Sequence, residues 1–230
     1  MLDHPVTIGV MQRTYPLHAK TLEALHQIPS NTIIVDSTPG RPIVKKNEKI
    51  KVIHTPDKNG FFAIALLVPL FTEFLNTKSE KLFLIEGDLV LSMENMIRAE
   101  QCTVNTKVFY AESDPKSRHA YIRREGLAGV LLRNECEKIL HWMISKPPSI
   151  FRKYQGYCDT FLWYAVSSET TGYSASTSGP DWIPVVHMTH DDYTRVTKVQ
   201  RRDMKVYRAR MAEIIRLAIE CNQFTYPKSN

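Results

Sequence analysis

Residues 81–92, KLFLIEGDLVLS, run apolar from Leu82 to Ile85, stop on two carboxylates, Glu86 and Asp88, separated by Gly87, and then turn apolar again. A continuous apolar run of this length reads as a strand buried on both faces, the centre of a sheet covered by helices on either side. In such a sheet, ligands gather beyond the carboxyl ends of the strands. Two acids at that end, with a glycine that lets a ligand approach the backbone, read as a cation site. A hard cation such as Mg²⁺ or Mn²⁺ takes one or two carboxylates together with phosphate oxygens, so the pattern predicts a metal and a diphosphate. A solvated turn is the alternative reading of the same three residues.

The flanking sequence repeats the strand–helix scheme. Upstream, VTIGVM (6–11) reads as a strand, and YPLHAKTLEALHQI (15–28) as a helix with Leu22, Leu25 and Ile28 on one face. NTIIVDS (31–37) is a strand ending in Asp36, and IKVIH (50–54) is another. NGFFAIALLVPLFTEFL (59–75) reads as a mostly buried helix kinked near Pro69. Downstream, Ser92 caps a helix through MENMIRAEQ, with Glu94 in its first turn. KVFYAES (107–113) and GLAGVLLRN (126–134) read as strands, and NECEKILHWMI (134–144) as a helix capped by Asn134. SKPPSIFRKYQG (145–156) reads as a loop because of its proline pair, and DTFLWYAVSS (159–168) as a helix with Asp159 at or near its cap. TTGYSASTSGPDW (170–182) reads as an exposed loop. The alternation predicts an α/β fold with a mainly parallel central sheet between helical layers.

Composition bounds the function classes. The chain of 230 residues, 43% apolar, suits a single domain with a real core. A formal charge of +6 favours anionic partners: nucleotides, nucleic acid or an acidic surface. Cys102, Cys136, Cys158 and Cys221 are widely spaced with no CxxC pair, which speaks against a zinc knuckle or a disulfide framework and fits a reducing cytoplasm. The opening residues lack the apolar core of a signal peptide, and FFAIALLVPLF (61–71) is too short to span a bilayer, so a soluble cytoplasmic protein without an integral membrane segment is expected.

TIGVMQRTYPLHAKTLEAL, IIVDS, NGFFAI and LFLIEGDLVLSMENM, in this order, resemble glycosyltransferases of the GT-A fold that use nucleotide sugars, of the family 2 kind. The resemblance covers about the first hundred residues. It implies a GT-A-like three-layer sandwich with a C-terminal helical extension. It further implies a nucleotide-sugar-binding half over about 1–115, an acceptor-side half over about 116–192, and a basic amphipathic helix over about 193–230. Position by position, Asp36 matches the acid that meets the nucleotide base, Arg13 lies in the loop bordering the nucleotide, and Asn59 and Gly60 match the turn near the donor. Asp88 matches the metal-binding last acid of the DxD motif, while Glu86, beside Gly87, departs from its usual first aspartate but keeps a carboxylate. Later, GYCDTFLWYAV resembles the segment in which an acid opens a helix beneath the acceptor, which implies Asp159 as catalytic base, with helix capping as its alternative role. VVHMTHDDY resembles the segment of the late metal-binding histidine, which implies His187 or His190, with Asp191 and Asp192 as alternatives.

The implied reaction moves a sugar from a nucleoside-diphosphate sugar to a hydroxyl acceptor, with Mn²⁺ or Mg²⁺ as Lewis acid on the departing diphosphate. Lys116, Arg118, His119, Arg123 and Arg124 are candidate partners for the developing charge. In TRVTKVQRRDMKVYRARMAEIIRLAIE, Met204, Tyr207, Met211, Ile214 and Ala218 form one helical face and Arg201, Lys205 and Arg208 another. The basic face makes DNA with a hydroxyl-bearing modified base one acceptor to consider. Two rivals remain open: a sugar nucleotidyltransferase, although GVMQRTYP lacks the glycine-rich loop of that class, and a non-catalytic nucleic-acid-binding module.

Overall fold

The computed structural model describes residues 4–12, 17, 19–36, 48–55, 64–87, 89–112, 122–152, 158–166, 185–187 and 204–225; of 12, 109–112, 122–125, 152, 185–187 and 204–207 only the backbone is described. In chain order these residues form β1 (Val6–Gln12), α1 (Ala19–Gln27), β2 (Thr32–Asp36), β3 (Ile50–His54), a 3-10 turn (Ile64–Leu66), α2 (Leu67–Leu75), β4 (Lys81–Glu86) and β5 (Leu89–Val90). There follow α3 (Met93–Gln101), β6 (Thr106–Glu112), β7 (Ile122–Leu132), α4 (Arg133–Ile144), α5 (Pro148–Arg152), α6 (Cys158–Ala165), β8 (Val185–His187) and α7 (Met204–Asn222).

All eight strands join one sheet in the order β3-β2-β1-β4-β7-β6-β8-β5. Neighbours are parallel from β3 through β4, β7 runs antiparallel to both β4 and β6, β6 and β8 are parallel, and β5 is antiparallel to β8. The fold is thus α/β with a mixed sheet whose four-strand core is parallel. The antiparallel half needs β7 to run back between β4 and β6, and the single-strand periodicity of GLAGVLL carries no information on direction.

Helices cover both faces. On one, α1 with the residue after it, and α3, bury Leu25, Ile28, Met96 and Ala99 against Ile8, Val10, Ile34, Phe83 and Ile85. On the other, α2, α4, α5, α6 and α7 bury Phe71, Phe74, Ile139, Trp142, Phe161 and Ile214 against Ile33, Val35, Leu82 and Leu84. The two sets alternate along β2 and β4, as side chains of a strand must. The KLFLIE run is apolar throughout because β4 meets a helical layer on each side.

Several local readings are refined. Of the helix expected over 59–75, residues 59–63 lie outside the described residues; from Ile64 a 3-10 turn passes into α2, and Pro69 falls in the first turn of α2, where its missing N–H leaves no hydrogen bond unmade. The proline pair does not make 145–156 a loop throughout, since Pro148 opens α5, a position that needs no N–H donor. The ring of Phe151 from α5 then packs edge-on to Trp142 of α4, at 5.7 Å between centroids. Asn134 is not the cap of α4, which starts at Arg133; the flanking Leu132 N–H instead donates to the side chain of Asn105. Ser92 does cap α3, with Asn95 answering in a reciprocal capping box. Finally, α7 packs its apolar face on the domain: Ile214, Leu217, Ala218 and Cys221 are buried in the core shared with α4 and α6.

Candidate active site

The chain runs outward from β1 to β2 to β3, then crosses back to lay β4 on the far side of β1. Between β1 and β4 the winding therefore reverses, and the crevice beyond their carboxyl ends is where open α/β sheets bind ligands. The pairing brings the predicted strand ends into one row. Gln12 is in register with Asp36, Asp36 with His54, and Met11 with Glu86.

Within the row, alternation sorts the side chains by face. Asp36 follows Ile34, and His54 follows Ile50 and Val52, onto the side covered by α1 and α3. Asp36 is buried to 1% side-chain exposure, and its Oδ2 lies 3.2 Å from Nδ1 of His54, whose own side chain is 55% exposed. Thr55 donates to the Asp36 carbonyl through both its N–H, at 3.0 Å, and its hydroxyl, at 3.2 Å. Glu86 follows Leu82 and Leu84 onto the opposite side, toward α2 and α4, and is 7% exposed. The two acids that close β2 and β4 thus share an edge and not a face.

The helix carrying Asp159 stands on the Glu86 side. Its anchor is Trp163, whose indole N–H donates to the carbonyl of Gly126 at 3.0 Å. Gly129 pairs with Leu84 of β4 and with Lys107 of β6. A Cβ at Gly129 would lie 2.2 Å from the indole ring of Trp163, so only glycine leaves room for that ring. The Gly129–Leu84 pair is the last of the β4–β7 ladder toward the carboxyl end of β4, so Trp163 is seated where that ladder ends. Asp159, one turn before Trp163 on α6, is half-buried in the first turn of the helix and does not itself precede it as a cap. The far end of α6 is held as well: Lys138 donates to the Ala165 carbonyl and Asn222 to that of Val166.

The third component is β8. Its His187 is in register with Leu89, the residue after Asp88, and with Glu112 of β6. A histidine from late in the chain thus reaches, by backbone pairing, the segment that follows Glu86-Gly87. Asp88, His190, Arg13, Asn59 and Gly60 lie outside the described residues, as do Lys116, Arg118, His119, Asp191, Asp192 and Arg201. Among the described residues no three His, Cys, Asp or Glu side chains converge on a metal position.

No protein-family model matches this chain, and no curated protein matches it.

Sequence reading missed His54, Trp163 and Gly129. His54 was accessible, since it closes IKVIH as Asp36 closes NTIIVD. The Trp163–Gly129 contact was not, because the two are joined only through the strand register. No described helix is long and apolar enough to cross a membrane.

Proposed function

We propose that the chain is a metal-dependent glycosyltransferase acting on a nucleoside-diphosphate sugar. The observation that carries this reading is the edge just described. A buried acid with a half-exposed histidine beside it closes β2 and β3, a carboxylate closes β4 across the winding reversal, and β8 pairs with the segment directly after it. A donor lying across this edge would set its nucleoside on the Asp36 side, with the transferred sugar toward α6 and Asp159.

The donor set suits the metal. Asp88, with a carboxylate, and His187 or His190, with an imidazole, would hold Mn²⁺ or Mg²⁺, a combination of hard oxygen ligands with one nitrogen that Mn²⁺ accepts readily. The alignment of His187 beside Leu89 brings these two parts of the sequence together. When bound, the cation neutralises charge on the departing diphosphate. Asp159 is proposed to take the proton of the acceptor hydroxyl, and Glu86, buried on the same face, to orient the turn through Gly87. On α7, Arg208 and Arg216 are exposed on neighbouring faces, two cations that a DNA acceptor's phosphates could meet.

The test is a thermal-shift and calorimetric screen of nucleoside diphosphates and nucleotide sugars with and without Mn²⁺. A Mn²⁺-dependent rise with one nucleotide, lost in Asp88→Ala, is the expected result. In turnover with an acceptor, Asp159→Asn should lower kcat about 10²-fold or more while nucleotide affinity stays the same. A folded protein that binds no nucleotide at millimolar concentration with Mn²⁺ sinks the reading.

A further inference from the structure

The transferase reading leaves His54 without a task, and its geometry gives it one. The ring closes β3 as the half-exposed neighbour of the buried Asp36 carboxylate, whose Oδ2 lies 3.2 Å from Nδ1. Thr55, the next residue, donates twice to the Asp36 carbonyl and so ties the end of β3 to that of β2. An ionised carboxylate only accepts hydrogen bonds, so in the neutral ring the proton sits on Nδ1. Nε2 is then a lone pair on the edge of the ring turned away from the buried acid, and no described residue meets it. An acceptor that cannot donate sorts nucleobases. Uracil, thymine and guanine carry an N–H at the ring nitrogen in the middle of their pairing edge, whereas cytosine and adenine carry a lone pair there. Two lone pairs set face to face leave both unmet and repel each other, and a site built around one hydrogen bond rejects the analogue that lacks it.

We infer that His54 selects the base of the donor: its Nε2 accepts the ring N–H of uracil, thymine or guanine and refuses cytosine and adenine. This rests on the nucleotide-sugar reading above and deepens it by naming the class of nucleotide.

Calorimetry on the full chain with Mn²⁺ at about pH 8, where an ordinary imidazole is neutral, tests it with uridine, guanosine, cytidine and adenosine diphosphates and with inorganic pyrophosphate. Uridine or guanosine diphosphate should bind at least about tenfold more tightly than the cytidine and adenosine forms, the scale of one hydrogen bond made in one case and refused in the other. His54→Ala should erase that preference, chiefly by weakening the favoured nucleotide, and leave pyrophosphate unchanged. His54→Gln, whose amide presents either its oxygen or its NH₂, should restore the favoured nucleotide and also admit cytidine diphosphate, a gain that a merely structural role would not produce. A wild-type protein that prefers cytosine or adenine, or shows no preference, overturns the inference, as does a preference that survives His54→Ala; each leaves the transferase reading standing. Equal weakening of pyrophosphate in His54→Ala also overturns it, since that marks a general distortion of the edge. A wild-type protein that binds pyrophosphate or nothing, and no nucleoside diphosphate, removes the transferase reading and the inference with it.

Discussion

Gly129→Ala tests whether α6 is held at the sheet edge by the contact described above. The new Cβ would stand 2.2 and 2.4 Å from two indole carbons of Trp163 and 2.6 Å from the carbonyl oxygen of Thr106. The Thr106 oxygen is backbone inside a strand pair and cannot retreat, so the indole must. Inserting a methyl into packed space costs about 1–3 kcal/mol, and displacing the indole forfeits its bond to Gly126, about 1 kcal/mol more. A total of about 2–4 kcal/mol corresponds to a fall in Tm of roughly 5–15 °C for a chain of this size.

The assay is thermal and urea unfolding of four proteins: wild type, Gly129→Ala, Trp163→Ala and the double variant. Trp163→Ala is costly by itself, but it removes the indole clash and leaves only the one with the Thr106 oxygen, so Gly129→Ala should cost at least about 1 kcal/mol less on that background. Because Asp159 is one turn from Trp163, the single Gly129→Ala variant should also lose more turnover than its residual folded fraction explains. Strict additivity, or a Tm within about 2 °C of wild type for Gly129→Ala, would refute the proposed seating of α6.

Three further outcomes follow from the packing. Ser92→Ala removes the capping-box acceptor of α3 and should cost about 1 kcal/mol, read as a shift of the urea midpoint with unchanged slope. Arg133→Met should cost about 2–4 kcal/mol in the same assay, because its guanidinium donates to the carbonyls of Leu75, Thr77 and Ser79 at the exit of α2 and the methionine would leave these partners unmet. Alkali should destabilise the fold: burial lifts the Cys136 thiol well above its usual range and the Cys221 thiol from 9.0 to about 12. Above about pH 8.5 the unfolded chain releases these protons while the folded one keeps them, so stability falls as pH rises toward the folded values. Cys221→Ala should flatten the decline of the urea midpoint between about pH 9 and 11, and an unchanged slope would count against the burial argument.

How far the sequence could be read depended on whether the relevant force was local. β4 was legible because burial on both faces leaves an apolar run, and α3 because Ser92 and Asn95 close their bonds within one turn. The start of α4 was not, since its N-cap is Leu132, whose side chain offers no acceptor to mark the position. The proline pair misled because Pro148 at a helix start and a proline in a loop look alike over a short window. The site shows the same division. Asp36 and Glu86 are visible as strand ends, yet their opposite faces emerge only when Ile34 and Leu84 are assigned to different helical layers.

This division bears on whether the chain works as two separable halves. The proposed nucleotide-sugar half ends near residue 115, but β4 is completed in the sheet by β7, which comes later, and β5 is paired by β8, later still. A chain stopping after β6 would leave β4 with a bare antiparallel edge and β5 with no partner among the described strands, and would strip Phe71, Phe74 and Leu84 of the cover that α4, α6 and α7 supply. The strand ends that carry Asp36 and Glu86 therefore belong to a sheet completed by elements that come after residue 115. On the proposed transferase reading, substitutions around Gly129 or Trp163, distant in sequence from Asp36 and Glu86, should consequently reach the donor's binding as well as the acceptor's, and the Gly129→Ala variant should show both losses together.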